Sequence, residues 1–191
     1  MILEKRLEVP YHSQFLEVED YFWNIRSCGG TCIKMCLDYF SIPGPSILEI
    51  MNEAFNTDGY HAENGFAHNF ALNYFKENNL NSYRKEDLKN MNEIIISLDN
   101  NNPVIASIIK NTLEQTKYHL IVVVGYKYTL EENKDSESIE SEINKIENKK
   151  VTHIIYHEPE STDASRGAYR ECDIETFQKY WRGKAIFVSL K

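Results

Sequence analysis

The sequence predicts an α+β protein, with N-terminal helices packed on a C-terminal antiparallel sheet. Two observations carry this. Helix-spaced apolar residues with helix boundary signals dominate residues 29–100, and β-branched runs dominate residues 103–190. Helices grouped before strands, instead of alternating with them, favour an antiparallel sheet.

The elements follow in order. Residues 1–27 read as a short strand and loop, with Val9-Pro10-Tyr11 extended because the residue before proline is pushed out of the helical region. A helix over about 29–40 carries Ile33, Cys36, Leu37 and Phe40 at helical spacing, and Ser41-Ile42-Pro43-Gly44-Pro45 ends it. Ser46, followed three residues later by Glu49, forms a capping box for a helix over 46–55. Asn64-Gly65 breaks the chain before a third helix at about 67–78, and 87–100 repeats the helical pattern. Pro103 opens a strand over 103–109, a position where no ladder donor is needed. Residues 119–126, HLIVVVGY, read as a central strand. Another strand spans 151–156 and ends at Glu158-Pro159. A helix at 173–181 and a strand at 184–190 complete the chain.

With 191 residues, 42% of them hydrophobic, the chain can bury a core, and one domain over 1–191 is expected. Residues 131–150, EENKDSESIESEINKIENKK, interrupt it as a polar, charged insertion, either a solvated hairpin extension or disordered. A lid or docking arm and a passive surface loop are both open readings of it.

A net charge of −8 argues against nucleic acid or an anionic membrane as partner. The same acidity favours a basic or neutral substrate. The most apolar runs, at 94–96 and 120–124, are too short to span a bilayer. The N-terminal MILEKRLEVPYHSQ lacks a signal-like apolar run, so a cytoplasmic, reducing setting with four free cysteines is expected.

The chemistry centres on Cys28. Ser27-Cys28-Gly29-Gly30-Thr31 lies where a loop becomes a helix, and unpaired N–H groups at such a start favour an anion, here a thiolate nucleophile. The glycine pair lets backbone approach closely and leaves room for a substrate carbonyl. The Cys28 N–H is positioned to supply half of an oxyanion hole. The competing reading, a small buried core cysteine, suits a lone cysteine better than this one. Cys28, Cys32 and Cys36 recur every four residues along one helical face. A metal site is set aside because no Cys-x-x-Cys knuckle occurs, which leaves Cys32 and Cys36 as core residues.

A thiolate needs a base. Of six histidines, His119 begins a buried-looking strand, while His12, His61 and His68 lie in loops or near helix starts. His153 sits mid-strand and His157 at a strand end. The residues alone leave both His119 and His157 in play, with His119 ahead. Tyr21, Phe22 and Trp23 suit either a substrate groove or loop packing, and Trp181 reads as core.

The order of motifs resembles the bacteriocin-processing-type cysteine peptidases, and most closely their standalone double-glycine-peptidase-like relatives. The matching pieces are Val9-Pro10-Tyr11 with Gln14, Cys28-Gly29 through Tyr39-Phe40, Asn102-Pro103-Val104-Ile105, and His119 to Tyr126. His157-Glu158-Pro159 and Phe177, Trp181 and Gly183 follow. The resemblance covers nearly all of the chain except 131–150. It implies a papain-like fold, Cys28 as nucleophile, His119 as base and acid, Glu158 as orienting carboxylate and Gln14 as an oxyanion donor. Asn24 is a nearer amide, but the family pattern favours Gln14. Loop hydrogen bonding is the competing role for Gln14. Glu158 stands where the family has aspartate, Gly30 where it has proline, and Tyr118 where it has glycine. The implied activity is hydrolysis of a peptide or amide bond through a thioester, on a peptide or protein substrate and with no cofactor. Acyl transfer to an amine, or a peptidase-like binding domain without turnover, are the alternatives.

Overall fold

The computed structural model describes residues 1–63, 65–111, 116–130 and 148–191. It is built around one seven-stranded sheet, antiparallel throughout. The helices are α1 (Gln14–Glu17), α2 (Tyr21–Asn24), α3 (Cys28–Tyr39), α4 (Ile47–Asn56), α5 (His68–Glu77), α6 (Asn92–Asp99), α7 (Ala164–Gly167) and α8 (Ile174–Tyr180). The strands of the sheet are β1 (Leu3–Arg6), β4 (Leu80–Lys85), β5 (Val104–Asn111), β6 (Thr116–Leu130), β7 (Lys149–His157), β8 (Arg170–Asp173) and β9 (Trp181–Leu190). A separate small hairpin joins β2 (Tyr60–His61) to β3 (Gly65–Phe66). The α+β arrangement read from the sequence is the one found.

The strand order is β4-β9-β5-β6-β7-β8. Strand β6 is the spine. Its first half pairs with β5, from Asn111↔Thr116 to Val104↔Val123, and β1 then takes over that flank from Arg6↔Gly125 to Leu3↔Tyr128. The backbone of β1 passes so close that a Cβ on Gly125 would sit 2.4 Å from the Lys5 carbonyl oxygen, so only glycine fits the Val-Val-Val-Gly-Tyr run.

Helix α4 begins with the expected capping box. Glu49 N–H donates to Ser46 Oγ at 3.3 Å and Ser46 N–H to Glu49 Oε2 at 2.8 Å, a pairing that stabilises a helix start by about 1 kcal/mol. Helix α3 is buried on more sides than its predicted stripe: Cys32, Ile33, Met35, Cys36 and Leu37 are all fully buried. Cys32 and Cys36 are therefore core residues. Trp181 is core as well, packed with Phe177.

Several expectations are corrected. Residues 13–24 are not plain loop but hold two one-turn helices, each started by a side chain: Ser13 Oγ accepts from Phe15 N–H and Asp20 Oδ1 from Trp23 N–H. His119 does not begin its strand; β6 starts at Thr116. β4, β8, α7 and the β2–β3 hairpin went unread. The reading of 131–147 lies outside the described residues. Residues 149 and 150 are the start of β7, where Lys149 Nζ binds Asp99 Oδ2 at 2.7 Å. No helix among the described residues is long and apolar enough to cross a membrane.

Candidate active site

Cys28 is the first residue of α3. Thr31 closes the turn, giving both its N–H and its hydroxyl to the Ser27 carbonyl at 2.8 Å. The N–H groups of Cys28, Gly29 and Gly30 precede the first intrahelical bond and therefore face the space before the helix. The glycines serve packing. A Cβ on Gly29 would meet the Phe66 ring at 2.3 Å, and one on Gly30 would meet Met51 Sδ at 2.8 Å. The pair thus lets β3 and α4 press against the helix start, and Phe66 becomes a wall of the site instead of leaving open room there.

Cys28 and His119 line one cleft of about 510 Å³, bounded by the β2–β3 hairpin, the start of β6 and the bend of β9. His119 is 1% exposed. Its Nε2 lies 2.5 Å from Glu158 Oε1, which leaves Nδ1 as the nitrogen available to the thiol. Nδ1 has no hydrogen-bond partner among the described residues. Burial disfavours the imidazolium, but Cys28 as its thiolate and the Glu158 carboxylate outweigh it and push the His119 pKa up to about 9. Glu158 moves the opposite way. Burial disfavours its charge, yet His119, Lys110 and the Glu160 N–H hold it at about 2.

The N-terminal segment explains how Glu158 is fixed. Tyr11 OH donates to the Glu158 carbonyl at 2.9 Å, Ser13 Oγ to the Ser161 carbonyl at 2.5 Å, and Gln14 N–H to the Pro159 carbonyl at 3.0 Å. The Val-Pro-Tyr motif is therefore a clasp on the carboxylate-bearing turn. Tyr11 reaches in over Gly167, where a Cβ would clash with its hydroxyl at 1.8 Å.

The clasp also separates the two histidines that the sequence left in competition. His157 is fully buried, with Nε2 donating to the Val9 carbonyl at 2.9 Å and Nδ1 accepting from Tyr169 N–H at 3.0 Å. Burial holds it down to about 4. It is a neutral structural histidine, already engaged at both nitrogens.

Gln14 is brought to the clasp but is not among the residues lining the cleft. It is fully buried, its Nε2 donates to the Asn24 carbonyl at 2.7 Å, and Asn24 Nδ2 returns a bond to the Gln14 carbonyl at 3.2 Å. Gln14 Oε1 has no hydrogen-bond partner among the described residues. Tyr21 and Phe22 are exposed and Trp23 packs inward against Tyr60; Ile25 and Arg26 line the cleft in their place.

The sequence reading missed Glu160. Its side chain is buried, paired with Lys110 at 2.7 Å and Lys117 at 2.5 Å, and its Oε1 lies 3.9 Å from His119 Nδ1. Lys110 and Lys117 face each other across the β5–β6 pairing, and a carboxylate between them offsets the repulsion of like charges in that position.

Among solved structures, the chain is similar to the peptidase domain of Streptococcus ComA, a bi-functional ABC transporter involved in a quorum-sensing pathway. The TM-score is 0.55 at 17% identity, covering 87% of this chain and 93% of that one. It is also similar to a double glycine motif protease from an AMS/PCAT transporter, solved in complex with the leader peptide, with a TM-score of 0.54 at 13% identity over 96% of this chain and 93% of that one. Both similarities are of fold, the papain-like one. No curated protein matches the chain. The Peptidase_C39 like family matches residues 6–185, a span that takes in Cys28, His119 and Glu158 together, and the chain belongs to that family.

Proposed function

We propose that the chain is a cysteine peptidase that cleaves a peptide bond through a Cys28–His119–Glu158 triad. The observation that carries this reading is the buried His119–Glu158 contact of 2.5 Å with Nδ1 left unpartnered on a cleft that Cys28 also lines. Buried polar atoms are nearly always satisfied, so an orphan ring nitrogen beside a nucleophile calls for a functional explanation.

The Cys28 thiolate attacks the carbonyl carbon of the substrate, forming the C–S bond. The oxyanion is held by N–H groups at the start of α3. The C–N bond then breaks as the His119 imidazolium gives its proton to the leaving amine. Water, losing a proton to His119, attacks the thioester and releases the acid and the thiolate. Glu158 keeps the ring oriented and stabilises the imidazolium each time it forms. A peptide is the substrate class, in keeping with the leader peptide bound to the similar transporter protease.

The test pairs a peptide library with wild type and Cys28→Ala, read by mass spectrometry for cleaved products. Cleavage lost in the variant supports the reading; cleavage that survives unchanged removes Cys28 from the mechanism. Iodoacetamide labelling of wild type and His119→Ala across pH checks the base. Cys28 should label faster than Cys172, and the difference should vanish without the ring.

A further inference from the structure

The cleft has a cationic wall that the proposed chemistry does not use. Arg26, Lys117 and Arg182 all line it. Lys117 is matched by Glu160 at 2.5 Å. Arg26 folds back on its own segment, 4.5 Å over the Phe22 ring, and donates to the Phe22 carbonyl at 2.9 Å. Arg182 differs. Its guanidinium stacks 3.5 Å from the centre of the Tyr118 ring and donates to Ser107 Oγ at 3.1 Å. Both partners are neutral, and among the described residues no carboxylate comes within ion-pair distance of it. Glu63 lines the same cleft without pairing to it.

The backbone is shaped to put Arg182 there. Strands β5 and β9 pair regularly from Val104↔Phe187 to Ser107↔Lys184, and then the register jumps so that Ile108 faces Trp181. Arg182 and Gly183 are the extra residues of this bulge, and bulges re-aim a side chain. Gly183 takes φ +66, and a Cβ there would lie 2.9 Å from the Leu88 carbonyl oxygen. Leu88 N–H donates to the Gly183 carbonyl at 2.9 Å, and Trp181 Nε1 donates to the Lys184 carbonyl at 3.1 Å. The Trp181-x-Gly183 pattern is thus a clamp at both ends of the bulge, and the intervening side chain is turned to the cleft. His68 lines the same wall. Burial, with Arg84, Arg182 and Lys184 nearby, holds it down to about 4, so it adds no charge of its own near neutrality.

A guanidinium held flat against a ring keeps its planar fork ordered and its remaining N–H groups free for a carboxylate. We infer that Arg182 binds a carboxylate of the peptide substrate, fixing an acidic group at one place relative to the bond that Cys28 attacks. This rests on the peptidase reading. It also reverses the expectation drawn from the net charge of −8, because one unmatched arginine inside the cleft acts at shorter range than an acidic exterior. An Asp or Glu side chain and a C-terminal carboxylate present the same chemistry.

Three probes separate the sources: N-iodoacetyl-Gly-Glu-amide, N-iodoacetyl-Gly-Gln with a free C-terminus, and neutral N-iodoacetyl-Gly-Gln-amide. Labelling rates at Cys28 are measured in wild type, Arg182→Gln and Arg182→Lys. In wild type one carboxylate probe should outpace the neutral probe by about tenfold, the scale of one charge-assisted hydrogen bond. That ratio should fall towards one in Arg182→Gln and be partly kept in Arg182→Lys. Where Cys28 outpaces Cys172, equal rates for all three probes in wild type, or a ratio unchanged in Arg182→Gln, overturns the subsite. Acetyl versions of the peptides, titrated against the Arg182 Nε–H signal by NMR, report binding without thiol chemistry. A shift caused only by a carboxylate peptide supports the subsite, and no shift overturns it. If Cys28 labels no faster than Cys172 with any probe while the NMR shift persists, the peptidase reading fails and the carboxylate site stands.

Discussion

His119 Nε2 and Glu158 Oε1 meet at 2.5 Å, with the two side chains 1% and 5% exposed. The turn that carries the glutamate is held in place by the clasp from Tyr11, Ser13 and Gln14. Glu158→Gln keeps the shape and removes the charge. Cleavage should fall by roughly 10²–10⁴-fold. With less negative charge beside it, the His119 pKa drops, so the alkaline limb of cleavage should move to lower pH. Glu158→Asp keeps the charge but shortens the reach, with an expected loss of about tenfold from misplacement. Steady-state rates and pH profiles of the two variants separate charge from reach.

The same pair makes stability depend on pH in two windows. His119 is raised from 6.5 to about 9, so its contribution is complete below about pH 6.5 and is lost as pH rises through about 9. Glu158 is lowered from 4.5 to about 2, so its contribution is complete above about pH 4.5 and is lost as pH falls through about 2. Urea midpoints at pH 6 and pH 9.5 read the first window. Wild type should lose about 1–3 kcal/mol more than His119→Gln between them; equal losses would place the raised pKa elsewhere.

His157 should behave as a structural residue. Its two ring nitrogens satisfy the Val9 carbonyl and the Tyr169 N–H in the core. His157→Ala leaves both unpaired and opens space beside Tyr11 and Tyr169, at a cost of about 2–4 kcal/mol. Below its melting temperature, the variant should still label Cys28 faster than Cys172, unlike His119→Ala. Thermal melts and labelling on the same samples distinguish the two histidines.

What was legible in the sequence was local. Ser46 and Glu49 cap α4 through contacts three residues apart, the run from His119 to Tyr126 can hardly be anything but a strand, and Cys28 announces a helix start. Strand β4 hid because it sits at the sheet margin, turning only Leu80 and Ser82 inward while Asn81, Tyr83, Arg84 and Lys85 stay outside. The choice between His119 and His157 hid because the deciding partner, Val9, is 148 residues away from His157. Glu160 hid for a related reason: its need is created by a cross-strand register that the chain does not spell out. Gln14 is named only by motif, and its bond to the Asn24 carbonyl is a contact no motif carries.

Gly30 is where this chain departs from the family's proline, and the structure names the obstacle. Gly30 lies in the first turn of α3, ahead of the first i to i−4 bond at Thr31, so a proline there forfeits no helical hydrogen bond. A Cβ at that position, however, would lie 2.8 Å from Sδ and 3.0 Å from Cγ of the fully buried Met51. Rigidity gained in the unfolded chain is worth only about 0.4–1 kcal/mol, less than the roughly 1–3 kcal/mol that overpacking costs. Gly30→Pro alone should therefore destabilise the protein. Met51→Ala alone should cost about 2–5 kcal/mol through its cavity, but in the double variant the ring fills part of that cavity. A double-mutant cycle by urea unfolding should show favourable coupling of about 1 kcal/mol or more. Additive losses would mean that the helix start, not Met51, rejects the proline.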